Sequence, residues 1–216
     1  MKKYQWIVFF LLLIIAGCTS SRITTSWKAE NLVPKKYNRI LVLGLINEPD
    51  RSIREKMEEH ILGDLKALGY NAVCACDEFN PKSFESLTEM QAIDKLNKSG
   101  IDAVLTVVLL NKTKEKYYVP GRVEYSPYII YHNRFFGYYR TMYDRVYTPG
   151  YYAETTKYFW ESNLYEMGTK NLLYSAQSES FDPVSTQALA HEYGLMIVND
   201  MVSKHALIQQ ASGELK

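Results

Sequence analysis

Residues 101–110 read IDAVLTVVLL, a run of branched apolar residues that predicts a buried central strand. A second such run, RILVLGLI at residues 39–46, is closed by the polar and Pro-containing sequence NEPD. Runs of this length and composition, bounded by turn residues, are typical of strands in the interior of a sheet. The two runs therefore predict the centre of the fold.

The sequence between these two predicted strands has the apolar spacing of helices. Apolar residues recur every three or four positions from Ile53 to Leu68, and Gly69 supplies a helix stop. A short strand is expected at 71–76. Thr88 and Gln91 have the spacing of a capping box for a second helix, which carries Met90, Ile93 and Leu96 and ends at Gly100. Strands that alternate with helices favour parallel pairing through crossover connections.

The pattern changes after residue 153. Residues 154–165 and 172–180 predict two strands of a hairpin, and the loop between them contains Gly168. Asp182 and Pro183 then open a last helix over 184–207, with its inward face expected at Leu189, Tyr193, Met196 and Ile197. The expected fold is α+β, a mixed sheet in the order β-α-β-α-β, a Tyr-rich excursion, then β-β-α, with helices packed on the sheet.

The amino terminus predicts a signal peptide over residues 1–17. Lys2 and Lys3 precede an uncharged apolar run at 6–16, which is shorter than the roughly 20 residues that a membrane-spanning helix needs. Residues 15–18, IAGC, resemble the lipobox of bacterial lipoproteins. That resemblance implies cleavage before Cys18 and acylation of Cys18 with fatty acids such as palmitate. The alternative is an ordinary signal peptide with an incidental cysteine.

The rest of the chain divides by composition. Residues 18–36 are expected to be the lipidated cysteine and a tether, with a short strand near 24–27. Residues 37–210 are expected to form a single α/β domain with a Tyr-rich insertion at 116–152, and residues 211–216 a tail. Thr19 stands where an Asp would resemble an inner-membrane retention signal, and no acidic cluster follows it. We therefore expect a lipid anchor in the outer membrane, with the domain facing the periplasm.

Charge excludes one class of partner. The sequence has 25 Lys and Arg against 24 Asp and Glu. Removal of Lys2 and Lys3 leaves 23 against 24, so the mature chain is almost neutral. A nucleic-acid-binding protein needs a dense positive surface to neutralise phosphates. We expect no nucleic-acid partner, and membrane attachment through acylated Cys18 rather than through a basic patch.

The order of elements behind the lipobox resembles that of a group of small, uncharacterised bacterial envelope lipoproteins. It is more distantly similar to the α/β domains of the Tol-system amino-terminal region and of the curli-secretion lipoprotein. The hairpin sequence WESNLY at 160–165, followed by Gly168 and by LYS at 173–175, carries part of this resemblance. The resemblance implies a fold and a location in the cell envelope, and it transfers no catalytic residue.

Segment 116–152 is unusually rich in aromatic residues. It holds eleven of the 18 tyrosines, and six Pro and Gly residues interrupt it, which predicts a long loop or ragged hairpin. Three interpretations stay open: the tyrosines pack over the edge of the sheet, form a protein interface, or bind a glycan or lipid. The candidate interface residues are Tyr125, Tyr128, Tyr131, Phe135, Phe136, Tyr138, Tyr139, Arg140 and Tyr143.

No catalytic motif is found in the sequence. It lacks a Gly-x-Ser-x-Gly elbow and a phosphate loop, and His191 and Glu192 have no second His one helical turn later. Cys74 and Cys76 on one strand would lie about 6.5 to 7 Å apart, too far for a disulfide. We expect them to be buried and unpaired, and we expect no metal, no cofactor and no enzymatic activity.

These observations favour a non-enzymatic interaction or assembly module of the cell envelope that binds an envelope protein through its Tyr-rich loop. A glycan- or peptidoglycan-associating lipoprotein is the alternative. An envelope enzyme whose residues converge from separate strands is a third class.

The anchor hypothesis predicts the behaviour of Cys18→Ala. The substitution removes the sulfur that would be acylated, so the variant should lose both maturation and label from a clickable fatty acid. Labelling of cells followed by purification of the protein measures this directly. A variant that still carries the fatty acid would contradict the assignment of Cys18 as the anchor.

Overall fold

The computed structural model describes residues 20–30, 32–49, 51–79, 81–84, 86–119 and 149–209. The signal peptide, Cys18 and the nine candidate interface residues lie outside these ranges. The chain divides into two compact units, Met1–Lys112 with Lys157–Lys216, and Thr113–Thr156. The second unit encloses the Tyr-rich segment.

The described strands form a six-stranded mixed sheet. They are β1 (Ser21–Lys28), β2 (Ile40–Leu45), β3 (Ala72–Cys74), β4 (Ala103–Val119), β5 (Tyr151–Glu166) and β6 (Leu172–Phe181). Their order across the sheet is β1-β6-β5-β4-β2-β3. β2 pairs in parallel with both β3 and β4, whereas β6 pairs antiparallel with β1 and β5.

Four α-helices accompany the sheet within the described ranges. They are α1 (Ser52–Ala67), α2 (Ala75–Glu78), α3 (Glu89–Lys98) and α4 (Thr186–Ser203), and a short 3₁₀ helix spans Pro81–Phe84. The α+β class, the mixed sheet and the packing of helices on it are as predicted. None of the described helices is long and apolar enough to span a membrane.

Alternate residues of the central strands bury against different helices. Ile40 and Val42 of β2 and Leu105 of β4 join the core that contains the apolar faces of α1 and α4. Leu41 and Val104, which point to the other side, join a smaller core with residues of α2 and α3. Since successive strand side chains point to opposite faces, helices cover this part of the sheet on both sides.

The last helix, predicted over 184–207 behind Asp182 and Pro183, instead spans Thr186–Ser203 and is capped by Ser185. The ends of α1 and α3 follow the predicted signals. The Thr88 hydroxyl accepts from the Gln91 N–H while the Gln91 side chain accepts from the Thr88 N–H, which completes the capping box. Gly69 and Gly100 have φ of 90° and 71°, the left-handed conformation that ends a helix. Met90 lies in the first turn of α3 and is 79% exposed, whereas Leu96 is buried.

Two predicted boundaries need correction. Residues 21–28, assigned to the tether apart from a short strand, form all of β1 and pair with β6 at the edge of the sheet. Residues 75 and 76, predicted to continue the strand at 71–76, begin α2 instead. A three-residue strand gives too little periodicity to mark its own end.

α1 and α4 pack closely where α4 carries Gly194. A Cβ on Gly194 would lie 3.0 Å from Asp64 Oδ2 and 3.3 Å from Ile61 Cγ1, whereas a Cβ on Gly63 of α1 would meet nothing within 4 Å. The helix contact therefore depends on the absence of a side chain at Gly194 but not at Gly63.

These two glycines give a matched stability test. Gly194→Leu should lower the free energy of unfolding by roughly 1–3 kcal/mol because it overpacks the contact between the helices. Gly63→Leu should raise it by about 0.5–1 kcal/mol, since leucine favours a helix more than glycine does. Urea denaturation measures both values. Equal effects of the two substitutions would contradict the close packing of α1 on α4.

Candidate functional site

The described ends of the Tyr-rich segment form a two-stranded ribbon. Lys116 of β4 forms an ion pair with Glu154 of β5, with 2.7 Å between Nζ and Oε1. The centroids of the Tyr118 and Tyr152 rings are 5.3 Å apart. Residue numbers rise along one strand as they fall along the other, as in an antiparallel pair. The ion pair and the ring pair therefore lie next to each other on one face of the ribbon.

Gly150 is required by the position of Tyr118. A Cβ on Gly150 would lie 2.2 Å from the Tyr118 hydroxyl oxygen and 2.7 Å from the Val119 carbonyl oxygen. Tyr118 can occupy this place only because residue 150 has no side chain. The glycine seen in the sequence as an interruption thus fixes one aromatic side chain.

The tyrosines of this ribbon are exposed. Tyr117 and Tyr118 are 50% and 55% exposed, and Tyr151 and Tyr152 are 64% and 73% exposed. Among the residues that the structure describes, the buried tyrosines lie in the other unit and belong to its core: Tyr37, Tyr70, Tyr174 and Tyr193. The four described tyrosines of the segment are therefore surface residues, and none of them belongs to a buried core.

A second group of reactive side chains lies at the carboxyl ends of β2 and β3. Glu58 of α1 is only 1% exposed, and its Oε1 accepts a hydrogen bond of 2.7 Å from the Gly44 N–H. A Cβ on Gly44 would lie 2.8 Å from the same oxygen. Glycine in β2 is therefore what allows the carboxyl group to reach the strand backbone.

Cys74 and Cys76 form a disulfide beside this carboxyl group. The prediction that they are unpaired was wrong because the strand ends at Cys74 and the chain turns into α2. That turn brings the two Cα atoms to 5.2 Å, inside the range that a disulfide spans. Cys74 is buried and Cys76 is exposed.

Glu58 also contacts the disulfide. Its Oε2 lies 2.8 Å from Cys74 Sγ. A sulfur bonded to another sulfur carries no hydrogen, so a hydrogen bond across this contact requires the carboxylic acid form of Glu58 as the donor. Burial raises the pKa of Glu58, while the Gly44 N–H and the Arg54 charge lower it. The protonated acid fits the disulfide state because burial disfavours the charged form.

The same three side chains have the spacing of a metal-binding group, with their ligand atoms within 4.8 Å of one another. Thiolates, and not disulfide sulfurs, bind metal ions. The oxidised Cys74–Cys76 pair therefore supplies no metal ligand.

A surface groove of about 650 Å³ lies beside the end of β1. Trp27 and Leu172 contribute apolar walls, and Lys35 forms an ion pair with Glu166. Burial, with Tyr70 and Asp102 nearby, raises the pKa of Tyr37 in the wall to about 12. A phenol with this pKa stays neutral at physiological pH, so Tyr37 does not serve as a general base there.

Sequence reasoning missed the pairing of the cysteines and the role of Glu58. The available signals were Gly44 inside an apolar strand and Glu58 on the buried stripe of a helix, between Met57 and Ile61. A glycine inside a strand often marks a close approach of another group to the backbone.

Glu58→Gln should change how stability depends on pH. The folded protein holds the Glu58 proton more tightly than the unfolded chain does, so stability falls as pH rises above the ordinary value of 4.5. Glutamine keeps the bond to Gly44 without titrating. In urea denaturation the variant should gain stability over the wild type as pH rises from 4.5 towards neutrality. A difference that stays constant with pH, or that has the opposite slope, would refute the protonated state.

Comparisons with known proteins give similarity only to solved structures. No protein-family model and no curated protein matches the chain. A PelC dodecamer from Paraburkholderia phytofirmans is similar at 10% identity and a TM-score of 0.43, covering 90% of this chain and 100% of that one. The lipoprotein GNA1162 from Neisseria meningitidis is similar at 16% identity and a TM-score of 0.44, covering 77% and 99%.

A homolog of the neuraminyllactose-binding hemagglutinin from Helicobacter pylori is similar at 12% identity and a TM-score of 0.35, covering 81% of this chain and 88% of that one. With identities of 16% or less and TM-scores below 0.5, function has to be argued from the residues of this chain.

Proposed function

We propose that the chain is a lipid-anchored protein of the cell envelope that binds a protein partner through its Tyr-rich segment and catalyses no reaction through that segment. Acylated Cys18 would hold it in the outer membrane, with the folded part in the periplasm. The lipobox-like sequence supports the lipid anchor, and Thr19 supports the outer rather than the inner membrane as its location. The interface rests on the exposed tyrosines.

The exposure of the tyrosines is the observation that carries the proposal. Four large aromatic side chains stand on two adjacent strands, and the least exposed of them is half exposed. A soluble surface keeps such groups scattered, whereas a cluster of them is typical of an interaction site. Tyrosine suits this role because its ring contributes apolar area while its hydroxyl group stays hydrated in the free state.

Charge favours a protein over a glycan as the occupant. The ion pair of Lys116 with Glu154 flanks the rings of Tyr118 and Tyr152. An aromatic centre with a charged rim is the arrangement found in protein interfaces. In a sugar site, by contrast, unpaired carboxylate and amide groups beside the rings would accept and donate hydrogen bonds to hydroxyl groups.

Site-specific photo-crosslinking in cells tests the interface. A photoreactive side chain at Tyr152 should give a discrete, protease-sensitive adduct, whereas the same group at Val184, which is 94% exposed in the other unit, should give none. The adduct should also disappear in cells when Tyr118 is changed to Ser, because the Tyr118 ring lies 5.3 Å from the Tyr152 ring on the same face of the ribbon.

Replacement of residues 118–151 by a short Gly-Ser linker is the matching deletion. The shortened chain should keep a cooperative melt, since the core of the larger unit lies outside this segment, and loop-closure entropy changes slowly with length. Loss of cooperative unfolding, or equal crosslinking at Tyr152 and Val184, would contradict the proposal. Retention on purified peptidoglycan that depends on the tyrosines would favour the glycan alternative instead.

A further inference from the structure

The Cys74–Cys76 disulfide does little for the stability of the fold. A disulfide stabilises mainly by restricting the unfolded chain, and the restriction grows with the length of the loop that it closes. This bond closes a loop that contains only Ala75. Two cysteines held together at the end of a buried strand therefore call for a chemical explanation rather than a structural one.

The two sulfurs differ in access to solvent. Cys74 is 3% exposed at the end of β3, and its Sγ accepts a hydrogen bond of 3.0 Å from the Cys76 N–H. Cys76 is exposed in the first turn of α2. Thiol–disulfide exchange depends on which sulfur an incoming thiolate can reach. A thiolate from solution reaches Cys76, and Cys74 is the sulfur that leaves.

Glu58 is in place to protonate the leaving sulfur. Its Oε2 lies 2.8 Å from Cys74 Sγ, and its Oε1 is fixed by the Gly44 N–H. The charged groups that face Glu58 are Arg54 on its own helix and Asp77 on α2. The strands packed against it contribute no charge, since β2 reads ILVLGL and β3 reads AVC.

We propose that Cys74–Cys76 is a redox-active disulfide that exchanges with a dithiol, with Cys76 as the sulfur attacked and Glu58 as the proton donor to Cys74. This activity is separate from the partner binding proposed for the Tyr-rich segment, and it requires no residue of that segment.

The exchange balances in two steps. A thiolate of the dithiol attacks Cys76 Sγ, a mixed disulfide forms, and the Cys74–Cys76 bond breaks with its electron pair on Cys74. The Glu58 acid gives its proton to Cys74 and becomes a carboxylate, to which the new thiol donates a hydrogen bond. The second thiolate of the dithiol then attacks the other sulfur of the dithiol, which is bonded to Cys76 Sγ in the mixed disulfide. Cys76 leaves and takes a proton from water; the dithiol is oxidised and the cysteine pair reduced.

The test begins with full-length protein in which Cys18 is changed to Ala, so that Cys74 and Cys76 are the only cysteines. Dithiothreitol should reduce the folded protein, with thiols counted by maleimide labelling after an acid quench and folding followed by circular dichroism. The rate constant, divided by the fraction of dithiothreitol present as thiolate, should fall as pH rises and Glu58 loses its proton.

Glu58→Gln should remove that fall, because an amide cannot supply the proton. Glu59→Gln is the matched control: it changes the charge of the adjacent exposed position on the same helix and should keep the wild-type profile. Reduction only upon unfolding, or the same pH profile with Glu58 and with Gln at this position, would overturn the proposal.

The two single-cysteine proteins test the assigned order of the sulfurs without any change at Glu58. Cys76 in the Cys74→Ala variant should react with maleimide at least about tenfold faster than Cys74 in the Cys76→Ala variant, because exposure and thiolate character set thiol reactivity. Equal rates, or a faster reaction at Cys74, would overturn the assignment of Cys76 as the attacked sulfur.

Discussion

The parallel pairing of β2 with β4 is the contact on which the rest of the structure depends. It runs in unbroken register from Ile40 opposite Ala103 to Leu45 opposite Val108. Both strands are apolar on both faces, so neither can be left open to water on either side. Helices therefore cover this pair from both sides, and each described α-helix contributes residues to one of the two cores.

The same strand pairing determines where both candidate sites lie in the fold. β2 brings Gly44 to Glu58, and β3, its other parallel partner, ends at the disulfide. β4 continues past the core, where its sequence changes from apolar residues to NKTKEKYY at 111–118 and its side chains become exposed. One strand thus serves as the centre of the sheet over its first half and supports exposed tyrosines over its second.

The sequence predicted those features that depend on local periodicity and on caps. The apolar run at 101–110, the Thr88 and Gln91 box, and Gly69 and Gly100 as helix stops each act over a few residues, so their meaning is the same in most folds. The predictions that were wrong concern features that depend on contacts between residues distant in the sequence. Glutamate usually lies at the surface, and Glu58 of α1 is buried here where it contacts Gly44 of β2. The end of β3 after Cys74, on which the disulfide depends, likewise has no marker in the local periodicity.

Native-state hydrogen exchange along β4 tests the central claim most directly. If β4 is core in one unit and surface support in the other, amides of residues 103–109 should exchange only on global unfolding. Amides of residues 113–119 should then exchange through local opening, with a much smaller opening free energy. Protection that stays at the global level as far as residue 119 would show that the Tyr-rich segment is part of the core, and it would contradict the account.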